Sequence, residues 1–344
     1  MSNFPKVSII IPAVRLGDFI REAIPHYEKL DYDNFEVIIV VNEENFVDEK
    51  FSDKLSIKVI PGPLKLGEKR DKGFEVSSGD IIAFIDDDAY PRSDWLSNAV
   101  KIFNQDESVG IVGGPAITPE DEEFWNKISG NIYSSFLMSG SSRKKFILTK
   151  GDIHEDDDIH GVNLLVRRSV FSKVGGFKDI SYYFSGEDTL FCLKVKKAGY
   201  KIIFSPDVVV YHHRRSIFFD HFKQIANYGF HRGFFVRKFP DNSFKVQYFL
   251  PSLFLLGVVF GGFLSIFSDI IFKVYLATLG VYFSLAFLSS LKLNIVETLF
   301  TTLGIFFSHL TYGFFFIKGL LTNDENYREE YHKKMVLSQK RFSK

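Results

Sequence analysis

The sequence predicts an α/β domain built on a mostly parallel sheet flanked by helices, followed by an α-helical membrane region. Three observations carry that reading. Buried-type strands alternate with helix-spaced segments through the first 215 residues, a pattern that indicates parallel strands joined by right-handed crossovers. Three stretches without a charged side chain, at 248–267, 274–291 and 298–317, approach the ~20 residues that a helix needs to cross the hydrocarbon core. The zero net charge of the 344 residues also hides a division: residues 1–212 hold 34 acidic against 26 basic side chains, whereas residues 213–344 hold 8 against 16.

The first strand is expected at 6–13 (KVSIIIPA), ending at Pro12. Its apolar run is short and has almost no positive segment before it, which suits a first strand better than a secretory signal. The soluble part is therefore expected on the cytosolic side. Residues 18–30 have helical spacing through Phe19, Ile20, Ala23, Ile24 and Tyr27, with Pro25 kinking or ending the helix. Residues 36–42 (EVIIVVN) and 56–60 read as the second and third strands. Residues 66–79 (LGEKRDKGFEVSSG) read as a basic turn leading into a short helix.

The next segment, 79–91 (GDIIAFIDDDAYP), runs an apolar strand directly into Asp86, Asp87 and Asp88 and then a proline turn. Ligands of open α/β sheets collect at the carboxyl ends of strands, and three like charges there call for a neutralising cation. The pattern points to a divalent-metal site, with an acidic turn as the plainer alternative.

No GxGxxG sequence follows Pro12 and no Walker A sequence occurs, so dinucleotide oxidoreduction and P-loop hydrolysis lose their main support. An aspartate cluster with Mg²⁺ or Mn²⁺ would hold a diphosphate instead.

Residues 160–177 (HGVNLLVRRSVFSKVGGF) combine an apolar run with Arg167, Arg168 and a double glycine. Residues 185–200 (SGEDTLFCLKVKKAGY) place Glu187 and Asp188 in the first turn of a helix, either as favourable capping charges or as a general base. Residues 201–215 (KIIFSPDVVVYHHRR) read as a strand pair ending in His212, His213, Arg214 and Arg215. Residues 152–160 (DIHEDDDIH) hold five acids and two histidines without obvious ligand spacing and read as a solvated loop, with a second metal site as the alternative.

Cys192 is the only cysteine, so no intrachain disulfide is possible, which fits a reducing compartment. Basic and aromatic residues are not interleaved as nucleic-acid binding requires. The segment 216–247 has Phe218, Phe222, Ile225 and Gly229 on one helical face and a set of Lys and Arg besides. It reads as an amphipathic interfacial helix, or as an ordinary helix packed on the soluble domain. The expected division is 1–215, 216–247, a membrane region at 248–321 and a polar tail at 322–344. Seven Lys/Arg in 213–247 and seven in 318–344 sit badly with three crossings, because the positive-inside rule prefers both segments on one side.

In order, VSIIIPA, EVIIVVN, LGEKRDKG, FIDDDAYP, GVNLLVRR with GGF, SGEDTLFCLKVKKAGY and VVVYHH resemble the family 2 inverting glycosyltransferases of GT-A fold, over roughly residues 5–215. A catalytic domain followed by a few membrane helices also resembles the branch that builds lipid-linked and exported glycans.

The resemblance implies roles residue by residue. Pro12 and Ala13 would start the loop under the nucleotide base, Asn42 would face the base, and Arg70 would lie near the base or phosphates. Asp86 would sit near the ribose with Asp87 beside it, Asp88 would be the principal metal ligand, and His212 would contact the metal or diphosphate. Asp188 would be the catalytic base, supported by Glu187, and Gly161 and Asn163 would belong to the acceptor side. The implied partners are a nucleotide-sugar donor, a lipid-linked or polyprenyl-phosphate acceptor and the cell membrane, which the chain would cross more than once with its catalytic domain cytoplasmic.

Departures from the family pattern fall in the base region, where Asn42 and Asp71 stand in place of a frequent aspartate and asparagine. The QxxRW motif of processive synthases is missing, since Gln224 is followed by Ile225, Ala226 and Asn227, so a single addition is expected. A phosphatase of the DxDx[TV] type is disfavoured by Ala89 and Tyr90. A catalytically degenerate membrane scaffold for glycan assembly is the remaining alternative.

Overall fold

The computed structural model describes residues 4–47, 50–181, 183, 186–292, 294–330 and 333. The chain divides into two compact units, one of Met1–Pro119, Lys144–Tyr182 and Glu187–His213, the other of Glu120–Arg143, Tyr183–Gly186 and Arg214–Lys344.

The first unit holds eleven strands among its described residues: β1 Val7–Pro12, β2 Phe35–Asn42, β3 Ile57–Gly62, β4 Ile81–Phe84, β5 Ala89–Pro91, β6 Val109–Gly113, β7 Ala116–Ile117, β8 His154–Glu155, β9 Leu164–Arg167, β10 Lys201–Phe204 and β11 Val210–His212. Its helices are α1 Asp18–Tyr27, α2 Leu66–Val76, α3 Trp95–Gln105, α6 Arg168–Val174 and α7 Glu187–Lys197. The second unit supplies α4 Phe124–Ser134, α5 Phe136–Ser139, α8 Phe219–Lys238, α9 Pro240–Ser243, α10 Leu250–Ser265, α11 Asp269–Ser290 and α12 Ile295–Leu321.

The main sheet has the order β3-β2-β1-β4-β9-β6-β10-β8. β1 pairs in parallel with both β2 and β4, Ile9 lying opposite Val37 on one side and Ala83 on the other. β9 is antiparallel to both of its neighbours, and β8 closes the edge antiparallel to β10. Strands covered on both faces are apolar without alternation, and Ile9, Ile10, Val37–Val41 and Ile81–Ile85 are accordingly buried. Two expectations change. The segment 66–76 is helical from its first residue, not a turn, because only Lys65 before it is extended. The strands within 201–215 do not pair with each other. β10 joins the main sheet, and β11 lies between β5 and β7 in a second sheet of three strands.

That second sheet positions chemistry. β11 pairs antiparallel with β5 so that His212 lies opposite Ala89, directly after the aspartate triplet.

Asn163, in the 3-10 turn Gly161–Asn163 before β9, ties the layers together: its Oδ1 accepts from Trp95 Nε1 at 2.8 Å, and its Nδ2 donates to the carbonyls of Pro115 and Val208. α1 continues through Pro25 for two more residues and buries Ile20, Ala23, Ile24 and Tyr27.

In the second unit, α4 comes from the middle of the sequence but packs with the C-terminal helices, burying Ile128 and Ile132 with Ile217 of the α8 approach and Ile305 of α12. His221 of α8 bridges Ser129 of α4 at 2.8 Å and Ser308 of α12 at 3.0 Å. The face of α8 that includes Ile225 and Gly229 is thereby buried. Three helical stretches, Val246–Ser265, Asp269–Ser290 and Ile295–Leu321, are long and apolar enough to cross a membrane. Residues 324–330 continue the tail as a helix; residues 331, 332 and 334–344 lie outside the described residues.

Two stability predictions follow from these contacts. A side chain on Gly233 of α8 would put its Cβ 2.1 Å from the Phe316 carbonyl of α12. Gly233→Val should therefore cost about 2 kcal/mol or more, read as a lower unfolding midpoint of the detergent-purified protein. In the first unit, Asp71 of α2 accepts the Phe177 amide at 2.9 Å, and burial pushes its carboxyl up to about 6. A folded value above the unfolded one means that its contribution is present at low pH and is lost as pH rises through the folded value. Asp71→Asn keeps the acceptor oxygen and removes the charge. It should raise the midpoint by roughly 2–4 °C at pH 7.5 and lose that advantage near pH 4.

Candidate active site

Five carboxylates of the first unit, Asp86, Asp87, Asp88, Glu187 and Asp188, come from two places in the sequence, and one cation, Arg70, bonds an acid from each place, Asp86 and Glu187. Arg70 projects from the inward face of α2, where Gly67, Lys69, Arg70 and Gly73 are buried. Its Nη1 donates to Glu187 Oε1 at 2.9 Å and its Nη2 to Asp86 Oδ1 at 3.3 Å. The guanidinium also lies 5.2 Å from the Phe177 ring centroid and 5.8 Å from that of Phe84, a favourable setting for a buried cation. Arg70 is only 2% exposed, so its charge serves the two acids first.

Two glycines make room for this. A Cβ on Gly161 would lie 2.6 Å from Arg70 Nη2, and one on Gly67 would lie 2.8 Å from Glu187 Oε2.

Asp88 faces His212, with Oδ1 3.1 Å from Nε2, and its carbonyl accepts the His213 amide at 3.0 Å. Asp86, Asp88 and His212 each offer one ligand atom, and the three atoms lie within 4.8 Å of one another. Among the described residues this is the one group of three or more such side chains so arranged. Two carboxylates and an imidazole suit a divalent cation of Mg²⁺ or Mn²⁺ type, so the donor set fits the metal that the sequence pattern implies.

Burial raises the Asp86 carboxyl above its ordinary value, Arg70 opposes the shift and Asp88 adds to it. Burial, reinforced by Asp88 and Asp86, pushes Asp87 up to about 7. Crowded, partly buried carboxylates of this kind are costly without added positive charge and are common at functional sites.

Asp188 opens α7 beside the buried Glu187, whose carboxyl burial pushes up to about 7 against the pull of Arg70. Asp188 itself is half-buried. Its Oδ2 accepts the Gly161 amide at 3.0 Å and its Oδ1 the Thr189 amide at 2.8 Å, which fixes the carboxylate plane.

At the carboxyl ends of β1 and β2, Pro12 and Ala13 lead into a loop whose backbone binds β2 through Ala13 N to Val40 O and Asn42 N to Val14 O. Asn42 is 5% exposed, and its Oδ1 has no hydrogen-bond partner. Lys69 joins them: its ammonium donates to the Ala13 carbonyl, and burial lowers its pKa to about 8, against the pull of Asp87.

Most of the residues singled out from sequence thus fall around the carboxyl ends of β1, β2 and β4, the tip of β11 and the start of α7. Asn163 does not belong with the acceptor side. It is wholly buried and its amide is fully used in joining Trp95, Pro115 and Val208, so it cannot touch a substrate.

Two of the five acids of 152–160 meet lysines, Asp156 with Lys144 and Lys145 and Asp157 with Lys196. Lys69 is the residue that sequence reasoning passed over. Its signal was the helical register of 66–76, which puts Lys69 and Arg70 on the same side as Gly73.

Residues 8–175 match the model of the family described as glycosyl transferase family 2. Glycosyltransferase AglE of Haloferax volcanii is 28% identical over 223 residues, covering 62% of this chain and 69% of that protein. A dolichyl N-acetyl-alpha-D-glucosaminyl phosphate 3-beta-D-2,3-diacetamido-2,3-dideoxy-beta-D-glucuronosyltransferase of Methanococcus voltae is 26% identical over 352 residues, covering 94% of this chain and 99% of that protein. The crystal structure of GalNAc-T7 with UDP, GalNAc and Mn²⁺ superposes with a TM-score of 0.50 at 14% identity, covering 71% of this chain and 52% of that one, and shares the GT-A fold. Residues 8–175 therefore match glycosyl transferase family 2, within a region of GT-A fold that precedes the apolar C-terminal helices.

Proposed function

We propose that the protein is an inverting, metal-dependent glycosyltransferase that moves one sugar from a nucleotide-sugar donor to a lipid-linked acceptor of the dolichyl- or polyprenyl-phosphate type at a membrane. The observation that carries the reading is the pairing of two distinct acidic sites across Arg70. One, Asp86 and Asp88 with His212, has the donor atoms that a divalent cation would need; the other, Asp188 with Glu187, holds a positioned carboxylate. The acceptor class rests on the relatives, since the Methanococcus voltae protein is named for a sugar linked to dolichyl phosphate and aligns over nearly its whole length. In this reading residues 1–215 act from the cytoplasmic face, and the helices after them hold the enzyme in the membrane.

The residues divide the work. Asp86, Asp88 and His212 would hold Mg²⁺ or Mn²⁺, which when bound supplies positive charge to the diphosphate leaving group. Asn42 and Lys69 would meet the nucleobase, where the buried Asn42 oxygen lacks a partner. Asp188 would take the proton of the acceptor hydroxyl as its oxygen bonds to the anomeric carbon. The bond from that carbon to the donor diphosphate breaks on the opposite side, and the nucleoside diphosphate leaves with the electron pair. The Gly161 amide orients Asp188 for this, and Glu187 and Arg70 fix α7 relative to the aspartate triplet. Sharing one membrane surface with the acceptor raises the effective concentration of both.

Asp188→Asn should lower kcat by about 10³-fold while leaving donor binding intact, because it removes only the base. Asp88→Ala should abolish the metal dependence of donor binding and lower transfer by at least about 10²-fold. Asn42→Ala should raise the donor KM by roughly tenfold with a smaller change in kcat, as loss of one pocket contact does. Transfer of labelled sugar to the hydroxyl of a polyprenyl-phosphate-linked sugar, together with donor binding measured with and without Mn²⁺, by variants with parent-like circular dichroism, reads all three. Parent-like transfer by Asp188→Asn would reject the assignment of the base.

A further inference from the structure

The three apolar stretches are not equivalent. α10 and α11 form a hairpin in which no residue from Leu253 to Leu285 is buried, as expected of helices that meet lipid all round. The charged residues of that hairpin, Asp269 and Lys273, sit close to its tip.

α12 differs. It buries Thr298, Thr301, Thr302, Ser308 and His309 and exposes one apolar line that includes Leu299, Leu303, Phe307 and Phe314.

α8 runs beside α12 in the same direction, each step along one matched by a step along the other. His221 meets Ser308, Phe222 lies 6.3 Å from Phe307, Gly233 lies against Phe316, and Arg237 donates to the Thr322 carbonyl. Their backbones touch, since a Cβ on Gly319 would fall 1.9 Å from the Phe230 carbonyl oxygen. The two helices therefore share one depth in any membrane.

α8 carries Asp220, Lys223, Arg232, Arg237 and Lys238 along its twenty residues, too many charges for the hydrocarbon core. At the start of α8, Phe218 takes a φ of 77°, the only positive φ of a non-glycine among the described residues, and its ring lies 5.6 Å from Trp125. Phe218 and Phe219 are 50% and 74% exposed, as aromatic side chains at a lipid headgroup boundary are.

We propose that α8 and α12 form a two-helix slab lying at headgroup level, its apolar line in contact with one leaflet, and that only the α10–α11 hairpin crosses the bilayer. The occupant of the slab's outer face is then the lipid surface itself. Continuity with the fully apolar hairpin supports this, as does the number of basic side chains on α8, which suits an anionic headgroup layer better than the hydrocarbon core. Two crossings place the basic segments 213–247 and 318–344 on one side, as the positive-inside rule requires, and leave Asp269 and Lys273 on the other. The inference concerns the membrane unit alone and stands or falls independently of the transferase reading.

Single cysteines at Asp241→Cys, Phe267→Cys and Lys333→Cys in the full chain, probed with a membrane-impermeant maleimide in sealed vesicles of known orientation, test it. Cys192 is fully buried and stays silent. Positions 241 and 333 should label from one side, at least tenfold over the other, and position 267 from the opposite side. Labelling of 333 together with 267, opposite 241, would mean that α12 spans. Labelling of all three from one side would mean that the hairpin does not cross. Either result overturns the proposal.

Spin labels at Leu299→Cys, Leu303→Cys, Phe307→Cys and Phe314→Cys give a second readout. They should report one shallow depth by collision with oxygen and a nickel chelate, and a depth that sweeps through the bilayer centre would overturn the proposal as well.

Discussion

Arg70 is the interaction on which the first unit's chemistry depends. A guanidinium only 2% exposed bonds Glu187 at 2.9 Å and Asp86 at 3.3 Å, and so joins the end of the β4 strand to the start of α7. Without it, carboxylates of both segments would face one another in a partly buried place. Removing one partner of a buried ion pair typically costs about 3–5 kcal/mol, because the remaining charge is left uncompensated. The same cation therefore stabilises the fold and sets the spacing of the two acidic sites. The rigid fork of an arginine suits two carboxylates at once in a way that a lysine does not. Around it the backbone is pared down: Gly67 and Gly161 leave space for Glu187 and Arg70 where a methyl group would collide.

Much of this was legible in the sequence, and the reasons are local. Residues 7–12, 35–42 and 81–84 are apolar without alternation because both faces of a central parallel strand are covered, so their type and order could be read directly. The aspartate triplet announced itself by following such a strand. His212 was legible as a candidate only because it ends an apolar run; that it meets Asp88 depends on the pairing of β5 with β11, a contact far apart in sequence. The segment 66–76 was misread at its start because charged residues and glycines suggest a turn, whereas here they line the buried face of a helix. Asn163 was misplaced for a related reason. A polar residue in a glycine turn looks like a ligand contact, but its amide is consumed by Trp95 and two carbonyls.

The C-terminal half shows a different limit. Averaged hydropathy records how apolar a window is and not which face is covered, so α10, α11 and α12 read alike although α12 hides a line of hydroxyl and imidazole groups against its neighbours. Nor does the sequence show that α4, about 90 residues before α8, packs with the C-terminal helices through Ile128, Ile132 and the Ser129–His221–Ser308 bridge. Glycines were the available signal. Gly229 and Gly233, one turn apart on α8, permit the close backbone approach to α12 that small residues provide between helices at membranes.

The central claim is that Asp86, Asp88 and His212 hold a divalent cation together with the diphosphate of a sugar nucleotide. Thermal unfolding of the detergent-purified full chain, with a panel of nucleoside diphosphates and sugar nucleotides each with and without Mn²⁺, tests it most directly. The account predicts that one nucleotide class raises the midpoint only when Mn²⁺ is present, the more so as its concentration rises above Kd. A folded protein whose midpoint responds to none of them, with or without the metal, would contradict it.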